Sequence, residues 1–190
     1  MQTAPKRGML CISISERIET KIVTMYIRPA KPEDMDRIME ICDAARSFMR
    51  KNGNHTQWIN GYPSRQQMDQ DRQNGNSYVW AEIDSQGDEI LRGVFTFILG
   101  EDPTYTVIEG GTWRNAEPYG TIHRMGSDGT RSGFFRQALQ FCLEQTDNVR
   151  IDTHADNLAM QHLAEREGFI RCGTIYVADG SPRIAYHYVK

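Results

Sequence analysis

Long apolar runs, clustered cysteines and any strong excess of one charge are all missing from this 190-residue sequence. No stretch approaches the roughly 20 apolar residues a membrane-spanning helix needs, so no membrane role is expected. The 25 acidic and 22 basic side chains leave a net charge of −3. No Lys/Arg run supplies a local basic patch either, which removes the electrostatic case for nucleic acid as a partner. Cys11, Cys42, Cys142 and Cys172 form no Cys-x-x-Cys pair. They read as small buried hydrophobes in a reducing compartment, and no metal is expected. No convincing signal peptide is expected either, because Lys6 and Arg7 are followed only by Met9, Leu10, Cys11 and Ile12 before polar residues return. The expectation is a soluble, cytoplasmic protein, with monomer and homodimer both open.

What is present is enough chain for one buried core, patterned as an α/β (α+β) domain. Residues 1–21 show no defensible period and read as a loose extension or as sequence ahead of a true start at Met25; the domain is expected over 22–190. Pro32, Glu33 and Asp34 look like a helix start. Met35, Ile38, Ile41, Cys42, Ala45, Phe48 and Met49 then recur at helical spacing up to Gly53. A polar loop with Trp58 and Tyr62 follows, and Ser64 with Gln67 predicts a capping box for a second, polar helix. Strands are expected over 78–83, 91–99, 121–125, 149–154, 172–177 and 183–189, the last two joined by a turn around Gly180. The predicted order is β-α-α-β-β-β-α-β-α-β-β, a mixed sheet with helices on both faces.

The richest stretch runs from Thr121 to Phe169. The strand enters Gly126-Ser-Asp-Gly-Thr-Arg-Ser-Gly133 without a helix between, and a helix then carries Phe134, Phe135, Ala138, Leu139, Phe141 and Cys142 on one broad face. A Gly/Ser/Thr loop before a helix start leaves N–H groups unpaired and makes an anion site, which suggests a phosphorylated ligand. After the next strand, Asp156 or Asn157 can cap a helix that buries Ala159, Met160, Leu163 and Ala164. That helix ends at Gly168 in a left-handed cap, with Phe169 folding back onto Ala164.

Here the chain resembles the GNAT superfamily of N-acetyltransferases. The marks are Thr130-Arg-Ser-Gly133, Asn157-Leu-Ala-Met-Gln-His-Leu-Ala-Glu-Arg-Glu-Gly-Phe169 and the opening Ile27-Arg-Pro-Ala-Lys-Pro-Glu-Asp34. Together they span about residues 25–190. The resemblance implies a mostly antiparallel sheet of six to seven strands and transfer of an acetyl group from acetyl-CoA, without a metal, to a primary amine on a small molecule or a protein. It implies that the cofactor lies along Met125, Gly126, Gly129, Thr130, Arg131, Ser132, Gly133, Phe134, Phe135 and Asn157. The pantetheine arm would run between strands 121–125 and 148–154. Substrate walls would be Trp58, Tyr62 and His154.

Direct transfer needs a base for the amine but no covalent intermediate. Strand parity places residues 119, 121, 123 and 125 on one side. The family's base positions fall here on Tyr119 and Thr121, neither a good acceptor. His123, one step along, becomes the candidate base, with Glu117 sharing the parity if the strand reaches it. The family's acid, a tyrosine, is Ala164 here; Tyr176 is either a substitute or a packing aromatic. A thiolate leaves unaided at modest cost, since free cysteine titrates near 8.5, about 1.5 units above neutrality. Two departures weaken the phosphate loop: Thr130 replaces Gln or Arg, and Phe135 replaces Gly or Ala, while Arg131 could restore some charge. The competing reading is a non-catalytic module that keeps the fold and binds a CoA-like ligand or a partner protein.

Overall fold

A computed structural model describes residues 24–190, so the expectation for residues 1–21 lies outside the described residues. Strand β1 (Thr24–Pro29) leads through a short turn at Pro32–Asp34 into α1 (Met35–Lys51) and α2 (Arg65–Gln73). Then come β2 (Ser77–Ile83), β3 (Glu89–Leu99), β4 (Gly120–Ser127), α3 (Phe134–Leu143), β5 (Asn148–Thr153), α4 (Leu158–Arg166), β6 (Ile170–Tyr176) and β7 (Pro182–Val189). The expected order holds. Seven strands form one sheet in the order β1-β2-β3-β4-β5-β7-β6, antiparallel at every pairing except β4 with β5.

Alternation along the strands splits the core between the two faces. Trp80, Phe95, Phe97, Ile122 and Ile151 join Phe134, Phe135 and Leu139 of α3 on one side. Val79, Ala81 and Val94 meet Ile38, Ile41 and Cys42 of α1 and Met68 of α2 on the other. Phe48 departs from its expected place and is 56% exposed. The capping box of α2 is half made: Ser64 Oγ accepts from Gln67 N (3.1 Å), but the Gln67 side chain donates to Asp71. Asn157 is the cap of α4, its Oδ1 accepting from Met160 N. At the far end Gly168 (φ 93°) lets Phe169 N reach Ala164 O at 3.0 Å, the left-handed cap expected there.

One local irregularity shapes everything that follows. Thr96 of β3 pairs with His123, but Val94 pairs with Gly126, so β4 carries one extra residue over this stretch. Arg124 takes it up at φ 49°. A non-glycine residue there is strained by about 1–3 kcal/mol. Its side chain is held by both oxygens of buried Asp71 (2.6 and 3.0 Å) and by the Tyr62 hydroxyl (3.2 Å). The bulge corrects the expected parity. Met125 packs with Ile122 on the α3 side, whereas a β-carbon on Gly126 would meet Ala45 of α1 on the other. Beyond Thr121 the parallel pairing of β4 with β5 stops, and the two strands part.

Candidate active site

The gap between β4 and β5 is a cleft of about 560 Å³, walled by the two strands, the loop joining α1 to α2, the start of α4 and the β6–β7 turn. His123 stands in its wall with a side chain 16% exposed. Its Nε2 lies 2.9 Å from Asp102 Oδ2. Asp102 Oδ1 accepts from Thr104 N (2.8 Å) and Thr104 Oγ1 (2.7 Å), which fixes the carboxylate plane. Burial alone would raise the Asp102 carboxyl, but the bonds from His123 and Thr104 outweigh it and hold it at about 2. An ionised carboxylate has no proton to give, so Nε2 carries the hydrogen and the neutral ring keeps its lone pair on Nδ1. That nitrogen faces Asp152 Oδ1 across 4.0 Å. Asp152 accepts the Tyr105 hydroxyl (2.7 Å) and has Arg183 Nε at 3.8 Å. Burial and the Asp152 charge push the Tyr105 phenol well above its ordinary value, so it stays a donor.

The arrangement therefore presents a proton acceptor, His123 Nδ1, beside the Asp152 carboxylate. A cationic amine can bind to the carboxylate and lose a proton to the imidazole. The sequence reading missed Asp102, Asp152 and Tyr105. Asp152 left little signal, since β5 also carries Asn148, Arg150 and Thr153. Asp102 left none, because it lies in the long connection between β3 and β4.

Glu117 does not reach this place. β4 begins at Gly120, so the parity argument does not extend to Glu117, which is exposed and outside the cleft wall. Trp58 and Tyr62 do line the cleft, as an edge-to-face pair 6.4 Å apart; Trp58 is buried and Tyr62 is 42% exposed. His154 lies outside the lining, bonded to Thr56 Oγ1 (3.1 Å) and near Asp156 (3.4 Å). Asn157 lines the cleft, and besides capping α4 it donates to Gln57 Oε1 (2.9 Å). Tyr176 is also outside the lining: it is exposed and donates to Glu109 (2.9 Å), which leaves the substitute-acid idea without a position.

On the opposite side, Met125 and Phe135 line the cleft, and residues 126–133 continue from β4 to α3. Gly129 and Gly133 turn the chain at φ 76° and 91°, values that favour glycine. Asp128 Oδ1 accepts both Thr130 N (3.0 Å) and Thr130 Oγ1 (2.6 Å), so the Thr130 side chain braces the loop. Arg131, expected to add charge for a phosphate, is instead paired with buried Glu82 (2.6 Å). Asp128 is in turn neutralised by Arg37 (2.7 Å) and Arg92 (3.2 Å). The first backbone bond of α3 runs from Gln137 N to Gly133 O (3.1 Å), which leaves the N–H groups of Phe134, Phe135 and Arg136 without intrahelical acceptors.

Neither phenylalanine covers those N–H groups. Phe134 stacks on Trp80 (5.0 Å), in space open because Gly93 has no β-carbon. Phe135 is 5% exposed and packs against Phe169 at 5.8 Å. Among the described residues no group of His, Cys, Asp and Glu could hold a metal ion, and no helix is long and apolar enough to cross a membrane.

No family model matches the sequence, and no curated protein sequence matches it significantly. Solved structures do. A GNAT-family acetyltransferase from Streptococcus agalactiae is 32% identical, with a TM-score of 0.77 over 87% of this chain and 95% of that one. GNAT-family acetyltransferases from Listeria monocytogenes (18% identity, TM-score 0.62, 87% and 95% covered) and Bacillus cereus (17%, 0.56, 88% and 98%) share the fold. With the bulged β4, the parted strands and the braced loop ahead of α3, this likeness over nearly the whole described chain shows that the protein belongs to the GNAT family of acetyltransferases.

Proposed function

We propose that the protein moves an acetyl group from acetyl-CoA to a primary amine by direct attack, with His123 as the base. The observation that carries this reading is the Asp102–His123 pair aimed at Asp152 inside the cleft between β4 and β5. Acetyl-CoA would supply an activated acyl carbon and a thiolate leaving group. The residues present fit it. The first-turn N–H groups of α3 are free, their phenylalanines turn inward, and the glycines at 129 and 133 set the loop. Met125, Gly126, Gly129, Ser132, Gly133, Phe134, Phe135 and Asn157 would hold it through backbone and shape; Thr130 and Arg131 would act by bracing the loop.

On the acceptor side, Asp152 draws in the ammonium form of the amine, and His123 Nδ1 takes its proton. The free lone pair would attack the acyl carbon, the carbon–sulfur bond would break, and the departing thiolate would take the second proton left on the nitrogen. Asp102 keeps the ring in the tautomer that leaves Nδ1 bare, and it balances the imidazolium that forms. Trp58 and Tyr62 would form the acceptor wall, and the acceptor is an amine of a small molecule or a protein. Isothermal titration of acetyl-CoA, followed by a thiol-release assay across small amines and a lysine peptide, tests the reading. Saturable binding with amine-dependent thiol release supports it. Binding without turnover on any amine would return the protein to the non-catalytic alternative, and no binding at all would overturn the cleft assignment.

A further inference from the structure

A second cavity, of about 480 Å³, lies under the chain between β3 and β4, at the end where β4 and β5 are still paired. Its floor is Arg150, a side chain only 4% exposed. A buried guanidinium ordinarily has a carboxylate partner, because an uncompensated charge away from water is costly. Arg150 has none among the described residues. It donates from Nη2 to Asn115 O (3.2 Å), and its buried Nε has no partner. Burial pulls its affinity for the proton below the ordinary arginine value, with the Tyr119 phenol offsetting part of the effect.

The surroundings deepen the imbalance. Across the β5–β7 ladder Arg150 sits opposite His187, and Arg114 N donates to His187 Nδ1 (3.3 Å), so the neighbouring groups are neutral or positive. Glu101 also lines the cavity, but it is exposed and forms no ion pair among the described residues. Two aromatic rings lie against the guanidinium, with the Trp113 centroid 4.1 Å and the Tyr119 centroid 3.7 Å from Cζ, and such contacts offset only part of the cost of burial.

We infer that this cavity binds a small organic monocarboxylate, its carboxylate meeting the in-plane edge of Arg150 and its apolar body lying along the aromatic wall. A guanidinium that lines the cavity without a carboxylate partner offers its N–H donors to a planar carboxylate fork. One cation without a nest of free N–H groups also matches a monoanion better than a phosphate dianion. The site is separate from the proposed acetyl-transfer cleft: Tyr105 stands between them, lining this cavity with its ring and sending its hydroxyl to Asp152.

Benzoate, its neutral analogue benzamide and inorganic phosphate are titrated into the full chain, without acetyl-CoA, by calorimetry and tryptophan fluorescence. The variants are Arg150→Met and Ala116→Trp. The second fills the cavity from an exposed wall position and leaves Arg150 intact. Benzoate is expected to bind at least about tenfold more tightly than benzamide or phosphate, and each folded variant is expected to lose at least about tenfold in benzoate affinity. If Arg150→Met does not fold, Ala116→Trp decides. No saturable benzoate binding, equal binding of benzamide or phosphate, or full benzoate affinity in folded Ala116→Trp would each overturn the assignment.

Discussion

Asp102→Asn separates a base held in one tautomer from a histidine that merely packs in the cleft. The substitution keeps size and shape, and the asparagine carbonyl can still accept from Thr104 N and Oγ1. Its amide nitrogen then occupies the place of Oδ2, 2.9 Å from His123 Nε2. Two N–H donors cannot face each other, so the imidazole must shift its proton to Nδ1. The lone pair then points away from the amine, and Asp152 at 4.0 Å faces an N–H instead. Turnover should fall by about 100- to 10,000-fold, the range for loss of a general base, which is about 2.7–5.4 kcal/mol at 1.36 kcal/mol per decade. Loss of the charge-assisted bond costs about 1.5–3 kcal/mol of stability, a shift of roughly 3–12 °C in a chain of this size. The assay is steady-state kinetics of Asp102→Asn, His123→Ala and the double variant. If Asp102 acts through His123, the double variant is no slower than His123→Ala alone. The reasoning fails if Asp102→Asn keeps turnover within a few-fold of the wild type, or if it slows His123→Ala further.

Phe135→Ala should destabilise the fold by about 3–5 kcal/mol, because it empties a buried ring site against Phe169, and it should leave acetyl-CoA affinity within a few-fold; tighter binding would mean the ring obstructs the loop. His187 is buried, and burial first, then the Arg150 and Arg114 charges, depress it to about 4. Between its unfolded value near 6.5 and about 4 the unfolded chain binds the extra proton, so stability falls as pH falls through that window, by about 3 kcal/mol for this group. Urea unfolding at both ends of the window should show most of that loss removed in His187→Gln; an unchanged difference would assign it to other groups. Arg124→Ala should cost about 3–5 kcal/mol by leaving buried Asp71 without its cation, and a melting curve within a degree or two of the wild type would refute that role.

Features set by neighbours in the chain were legible in the sequence. The inward face of α3, the glycine end of α4 and the Asn157 cap each depend on residues within one or two turns, where spacing and side-chain chemistry settle the geometry. Of the cleft lining between β4 and β5, the sequence pointed to His123, Trp58 and Tyr62 on the side opposite Met125 and Phe135. Its other half comes from contacts between distant residues: Asp102 reaches His123 from 21 positions away, and Tyr105 reaches Asp152 from 47. Arg131 misled for the same reason. A loop arginine beside a glycine-rich turn reads as a phosphate ligand until its partner appears 49 positions earlier, at Glu82. Glu117 was placed by extending strand parity beyond the end of its strand, where parity no longer constrains anything, and His154 by the resemblance alone.

The bulge at Arg124 had no sequence signal, since bulges that need a left-handed residue usually announce themselves with glycine. Here the conformation is enforced from outside: Asp71 grips the guanidinium with both oxygens, and Thr96 Oγ1 donates to the same Asp71. The extra residue has two consequences that neither neighbour could produce. It leaves His123 and Gly126 on one face although they are three apart, so the imidazole and the bare backbone under Trp58 look into the same side of the sheet. It also coincides with the end of β4–β5 pairing at Thr121, so the strand that carries His123 forms one wall of an opening instead of continuing a sheet. A side chain on Gly126 would press on Ala45 at 3.0 Å and on Trp58 at 3.4 Å, and Trp58 is itself part of the cleft wall. The strain at Arg124 is therefore inseparable from the site. A regular β4 would turn His123 or Gly126 to the wrong face, and the sheet could not both support the α1–α2 loop and hold the imidazole beside Asp152.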